Sequence, residues 1–375
     1  MKSWLLNWGF IIVFAFAGQN DTTLSFDTSE GTLISVDISP NGKTIAFDLL
    51  GHIYLMPSSG GTAEAITKGT SWNMLPRFSP DGEKILFTSD RSGSDDLWVQ
   101  NIKTGNMKNV SKMDIPVHQG TWSTDGKHVF GTALNMKVRH PVYRFNMYGK
   151  KQEIIPAGSR SPINHFAMHP TNNLIYFSHG DGPLYRSGDR IKTYNIQNSE
   201  IKTYVDRAGG AANPTLSQDG KFLAYVHRDD RQTVLVVRNI QTNEEKIVNR
   251  NLDFDRMDGG SFYGSYTNMS WHPNNKEIFI SYDGGIHSVN VVTMKTKKIN
   301  FTARVKRQVK ETIRFKLDVP RDKAVTRSHR WSQQTPAGIL YEALGDLYLK
   351  NGTKIKNLTE STDHETSPHY DPRTR

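Results

Sequence analysis

A short turn motif recurs along the chain, and it constrains the fold more than any other feature. It is clearest in Asp37-Ile38-Ser39-Pro40-Asn41-Gly42-Lys43 and in Arg77-Phe78-Ser79-Pro80-Asp81-Gly82-Glu83. Copies follow at Trp122-Ser123-Thr124-Asp125-Gly126-Lys127, Met168-His169-Pro170-Thr171-Asn172-Asn173, Leu216-Ser217-Gln218-Asp219-Gly220-Lys221 and Trp271-His272-Pro273-Asn274-Asn275-Lys276. A degraded seventh stands at Trp331-Ser332-Gln333-Gln334. In each copy an apolar residue ends one strand, Pro presets φ, and Asp-Gly or Asn-Asn tolerates the positive φ of a tight reversal. An apolar strand follows, as at Ile45 to Phe47 and Ile85 to Phe87. A second half adds a strand such as Ile53 to Met56, Leu97 to Val99, Val234 to Val237 or Leu347 to Leu349. A polar turn and a short last strand close the unit, at Ala65-Ile66-Thr67, Asn109-Val110-Ser111 and Asn357-Leu358-Thr359.

The aligned Ser/His positions 39, 79, 123, 169, 217, 272 and 332 are 40 to 60 residues apart. Four strands at that period are the mark of WD40-like propeller blades. One blade cannot bury both faces of its sheet, so neighbours must stack around an axis. A β-sandwich would not repeat one turn at this interval, and a β-solenoid has a shorter period. No stretch keeps a helical period. The expected fold is all-β, a β-propeller of about seven four-stranded blades. Ser367-Pro368-His369-Tyr370-Asp371-Pro372 reads as an eighth unit begun at about 367 and cut off, which would leave the ring open or strained where residues 22–26, a candidate closing strand, meet the seventh unit.

The absence of cysteine excludes disulfides, Cys-ligated zinc and thiol catalysis. At the N-terminus Lys2, an apolar run over residues 5–16 and Ala15-Phe16-Ala17 read as a signal peptide over residues 1–17, too short to span a bilayer. Residues 18–375 would then be the exported propeller, periplasmic or secreted, with no membrane span after cleavage. The net charge of +10 is spread over many turns and densest at Lys295, Lys297, Lys298, Arg304, Lys306, Arg307 and Lys310. Such a pattern reads as a solvated surface rather than a nucleic-acid site.

No residue constellation for chemistry emerges. His165 and His169 are four apart, but on a strand that spacing separates them by roughly 13 Å. His169 and His272 fill the Ser position of the turn and are expected to serve it. Asp253-x-Asp255-x-x-Asp258-Gly259 resembles a calcium loop only loosely. Gly259-Gly260-Ser261-Phe262-Tyr263-Gly264 is not a nucleophile elbow, and no phosphate-cradling loop is present. Hence no catalytic residue, metal ligand or cofactor is assigned. Residues 253–266, rich in Asp, Gly and Tyr, are the one candidate: a contact loop at the propeller mouth using Asp258, Phe262, Tyr263 and Tyr266. Trp98, Trp122, Tyr176, Tyr225, Trp271 and Tyr348 fall at motif positions and are assigned to the packing between blades.

The Ser-Pro-Asp-Gly turns, with Ser89-Asp90-Arg91-Ser92-Gly93-Ser94-Asp95-Asp96-Leu97-Trp98, resemble the repeats of TolB-type propellers. The run from Ile38 to Tyr54, Asp283-Gly284-Gly285-Ile286-His287 and Ala343-Leu344-Gly345-Asp346-Leu347-Tyr348 resembles more closely the N-terminal propeller of secreted amidohydrolase-family proteins. The resemblance covers roughly residues 24–375. It implies a propeller followed by a metal-dependent barrel, whose paired histidines have no counterpart in this chain. TolB itself carries an α/β domain before its propeller, which also has no counterpart here. Two functions are therefore expected: a non-catalytic interaction or scaffold domain binding a protein partner, or the regulatory, substrate-gating part of an amidohydrolase whose catalytic domain is attached elsewhere.

Overall fold

The computed structural model describes residues 22–134, 140–156, 163–180, 189–257, 263–309 and 326–373. Their regular structure is thirty β-strands in seven sheets, without a helix among the described residues. The chain divides into two compact units, Met1–Glu311 and Thr312–Arg375.

The first unit holds six blades. Each runs outward from an inner strand: Val36–Ile38, Asn73–Phe78, Val117–Trp122, Asn164–Met168, Ala212–Leu216 and Ser270–Trp271. Successive inner strands pack against one another, and the sixth blade returns to the first. Val36 N–H donates to the Asn268 carbonyl (3.1 Å) and Gly31 N–H to that of Gly284 (3.0 Å) across this seam. Its core mixes both blades, with Ile34, Val36, Phe47 and Tyr54 against Phe279, Ile286 and Phe301. The six blades therefore form a closed ring, and the seventh blade-like sheet belongs to the second unit.

Residues 22–26 do form a strand, and it pairs within the first unit. Thr22–Thr28 pairs antiparallel with Phe301–Val309, from Thr22 opposite Val309 to Thr28 opposite Ala303. Phe301–Val309 lies parallel to Gly61–Ala65, the outer strand of the first blade, making that sheet six-stranded. One residue, Asn300, separates the sixth blade's last strand, Thr296–Ile299, from this strand, and its carbonyl accepts Gly61 N–H at 2.9 Å. The chain leaving the last blade thus grips the first.

The repeated turn explains itself. Ser39 Oγ donates to Asn41 Oδ1 (2.8 Å) and accepts Thr44 N–H (2.9 Å), while Gly42 N–H donates to the Ser39 carbonyl at φ 72°. Ser123 and Ser217 repeat this with Asp125 and Asp219. His169 and His272 take the turn role through Nδ1, accepting Thr171 and Asn274 N–H. Trp122, Tyr176, Tyr225 and Trp271 are buried as expected, whereas Trp98 and Tyr348 are partly exposed.

The short outer strands lie earlier than their sequence suggests, at Gly61–Ala65, Met107–Asn109 and Lys354–Asn357. The reason is the hydroxyl at the end of each expected strand. Thr67, Ser111 and Thr359 accept the N–H of Ile53, Leu97 and Leu347, each at 2.9 Å, so their side chains replace the ladder.

The second unit's sheet is Arg330–Thr335, Gly338–Ala343, Asp346–Asn351 and Lys354–Asn357, antiparallel throughout. Trp331, Ile339, Ile355 and Leu358 are exposed. Residues 358–373 form no strand and are held by Glu365 N–H on the Gly345 carbonyl and Tyr370 N–H on Gln333 Oε1, both 2.8 Å.

Candidate functional site

The inner strands carry a second repeat that the turn motif hides. Four residues before the Ser/His of each turn stand Ser35, Leu75, Gln119, His165, Asn213 and Asn268, one per blade of the first unit. At Leu75, Gln119, His165 and Asn213 the backbone turns left-handed, with φ between 52° and 60°, and the strand register slips. A slipped N–H is lost to the ladder and needs another acceptor. Asp48 supplies two, taking Ser35 N–H at 2.7 Å and Leu75 N–H at 2.8 Å. Ser178 Oγ takes Asn213 N–H (2.8 Å), and Ser35 Oγ takes Asn268 N–H (3.3 Å). Burial outweighs these donors at Asp48 and lifts its carboxyl to about 6.

The candidate loop settles on this polar ring. His165 Nε2 donates to the Tyr266 carbonyl at 2.9 Å. Gly264 lies so close that a Cβ there would sit 2.0 Å from the His165 ring, at φ +93°. Tyr263 donates its hydroxyl to Asp95 Oδ2 (2.9 Å) and meets the His118 ring edge-on at 5.8 Å. Burial, then Asp95, pushes the Tyr263 phenol up to about 12. Burial, reinforced by His140 and His165, lowers His118 to about 3; burial likewise lowers His165 to about 3. Both imidazoles are therefore neutral at pH 7 and act as neutral polar groups.

Around the loop opens a pocket of about 310 Å³, walled by Leu33, Leu50, Trp72, Arg256, Tyr263 and Thr267 among others. A shallower groove of about 770 Å³ shares Leu50 and Trp72 and continues to Leu24, Phe26 and Arg307. Arg307 stacks over Trp72 at 5.4 Å and donates to the Thr70 and Ser71 carbonyls, each at 2.7 Å. At the other end of the inner strands the turns frame a space of about 220 Å³ containing the buried Arg77–Asp37 pair (3.6 Å).

Of the expected mouth residues, Tyr263 and Tyr266 are brought together at this pocket. Tyr266 is buried, with its hydroxyl on the Ser281 carbonyl at 3.1 Å, so its ring forms wall rather than contact surface. Asp258 and Phe262 lie outside the described residues, as do residues 1–17 and Lys310. Asp255 accepts from Arg228 Nε at 3.1 Å and from Thr233 Oγ1 at 2.8 Å, and Asp253 accepts Asp283 N–H. These carboxylates hold the loop to the neighbouring strands and turn. His165 and His169 do not meet: one faces the loop and the other serves its turn. Sequence reasoning missed Leu33, Leu50, Trp72 and Arg256. The available signal was an apolar residue stranded in a connection, as in Thr70-Ser71-Trp72 and Leu49-Leu50-Gly51.

Residues 11–186 match the TolB beta propeller domain. The chain carries a TolB-type β-propeller. The crystal structure of TolB from Acinetobacter baumannii superposes with a TM-score of 0.56 at 17% identity, over 72% of this chain and 66% of that one. Among curated relatives, an uncharacterized peptidase, YuxL of Bacillus subtilis, is 22% identical over 175 residues, 46% of this chain. Tricorn protease homolog 1 of Streptomyces coelicolor is 30% identical over 89 residues, 24% of this chain. The TolB-type chain matches 24% and 8% of the length of these two relatives.

Proposed function

We propose that the protein is an exported, non-catalytic interaction domain whose propeller mouth binds a protein partner. The observation that carries this is the exposed apolar surface at the mouth. Leu33 is 55% exposed, Leu50 44%, Trp72 46% and Tyr263 39%, all around one pocket. Contiguous exposed apolar and aromatic surface on a polar rim is the usual mark of a contact site. The rigid ring beneath holds that surface in place, so binding costs little ordering entropy. Export rests on residues 1–17 and on the TolB-type propeller.

The test is capture from a periplasmic extract of an exporting bacterium. Wild type is expected to retain a discrete partner that Trp72→Ala together with Leu50→Ser loses, while both proteins keep the same melting temperature within about 2 °C. Equal retention by the two proteins would remove the mouth as the contact site.

A second reading is favoured by the peptidase and protease names of the relatives. In it the propeller regulates access to a hydrolase within a longer protein, of the amidohydrolase or of a peptidase class. Expressing the chain with any open reading frame continuous with it, and assaying amide hydrolysis with and without the mouth substitutions, separates the two. Unchanged turnover in the mouth variant argues against gating.

A further inference from the structure

Arg256 is the unusual group at the mouth. The residue lines the pocket and is half-buried, and burial alone lowers its pKa from the ordinary value. No carboxylate among the described residues lies within ion-pair distance of it, whereas Arg77, Arg228 and Arg238 of the same unit pair with Asp37, Asp255 and Glu245, and half-buried Arg91 and Arg307 donate to the Asn73 side-chain oxygen and to the Thr70 and Ser71 carbonyls. A partly desolvated cation without a counter-ion is costly, and in a pocket the cost is relieved by an anionic ligand. Asp48, also in the wall, makes no ion pair with it and directs its two oxygens at the Ser35 and Leu75 N–H groups. A second polar group lines the same pocket. Thr267 is 5% exposed, and its hydroxyl has no hydrogen-bond partner among the described residues. Leu33, Leu50, Trp72 and Met74 supply apolar wall, alongside the polar Thr32, Ser35 and Asn73.

The geometry points to a carboxylate-binding site: we infer that Arg256 and Thr267 receive a carboxylate whose apolar or aromatic body lies against Trp72, Leu33 and Leu50. The inference rests on the mouth being the binding surface and names the chemistry it selects. A guanidinium favours a planar carboxylate because two parallel N–H groups match its two oxygens. The Trp72 face offers stacking for an aromatic body. A pocket of about 310 Å³ admits a ligand of roughly a dozen heavy atoms, near the lower end of ordinary small-ligand sites. The same chemistry is presented by a small aromatic acid and by an aspartate beside an aromatic residue in a partner chain.

The experiment is calorimetric titration of the full chain with three probes: 3-phenylpropionate, its neutral amide 3-phenylpropionamide, and the peptide acetyl-Trp-Asp-amide. The acid is expected to bind about tenfold or more tightly than the amide, as a charge-assisted pair does. Arg256→Gln should abolish that preference, and Arg256→Lys should restore part of it. Trp72→Ala should weaken acid and amide alike. Peptide binding tighter than the small acid assigns the site to a partner chain, and the reverse order assigns it to a small acid. Equal binding of acid and amide, still sensitive to Trp72→Ala, overturns the carboxylate inference and leaves the mouth as a contact surface. Binding of none of the probes at millimolar concentration overturns the carboxylate inference, and capture of a partner in the extract experiment then decides the mouth independently.

Discussion

Ser39, Ser79, Ser123 and Ser217 each do two jobs with one hydroxyl, donating to the Asx residue two positions on and accepting the N–H that opens the next strand. Ser79→Ala leaves Lys84 N–H without that acceptor in a part-buried turn, and the expected loss is about 1 kcal/mol of stability. Urea unfolding reads it, and a change near zero would show that water replaces the hydroxyl. Asp48 offers a pH test. Its folded pKa, about 6, lies above the ordinary 3.8, so the folded state holds the proton more tightly than the unfolded one. Its contribution to stability is therefore greatest below about pH 4 and is lost as pH rises through about 6. Asp48→Asn removes this titration. The stability of wild type relative to the variant should be greater at about pH 4 than at about pH 7, measured as urea midpoints. Parallel pH profiles would exclude the assignment. At this scale the turn was legible from sequence, because Pro, Asp and Gly act locally. Asp48 was not, because its role needs Ser35 and Leu75 beside it, and Leu75 comes from the next blade.

Blades were legible for the same reason: a tight turn and an apolar strand repeat wherever the chain does. The strand Phe301–Val309 was not, and stood out in the sequence only as part of the basic cluster from Lys295 to Lys310. Its alternation is clear in hindsight, with Phe301, Ala303 and Val305 buried and Thr302, Arg304 and Lys306 exposed. Basic residues on the exposed side concealed it as a charged stretch, whereas Arg304 pairs with Asp27 at 3.2 Å and Arg307 caps three carbonyls. Phe301 stacks obliquely on Phe47 at 5.1 Å within the core shared by the first and sixth blades. Phe301→Ala should cost about 3–5 kcal/mol and lower the melting temperature of the ring as one cooperative unit. If instead the far blades melt unchanged while the first loosens, the seam is not what makes the ring cooperative. The candidate site was half legible: the Tyr-rich loop stood out in composition, but its walls come from Leu33, Leu50 and Trp72, which only the ring brings near it.

The two units differ in how well each accounts for its own apolar surface. The ring of six blades closes its seam, and its inner and middle strands are buried in almost every blade. The four-stranded sheet of the second unit leaves Trp331, Ile339 and Ile355 open, and one sheet rarely persists alone. Residues 22–309 expressed alone should give a single sharp unfolding transition, and residues 326–373 alone should give none by circular dichroism. A cooperative transition in the short fragment would show that its sheet is self-sufficient.

The pairing of Thr22 with Val309 has a mechanical meaning. Strands that begin and end side by side bring both chain exits of the ring to one point. A force applied between residues 22 and 309 would act along the hydrogen bonds, perpendicular to the strands, opening the pairs in turn from Thr22–Val309 towards Thr28–Ala303. The two-strand clasp should therefore peel at low force, before the blades yield. The same adjacency makes the ring a cassette: a short peptide joining residue 309 to residue 22 would circularise it, and a host protein could accept it in a surface loop without being pried apart.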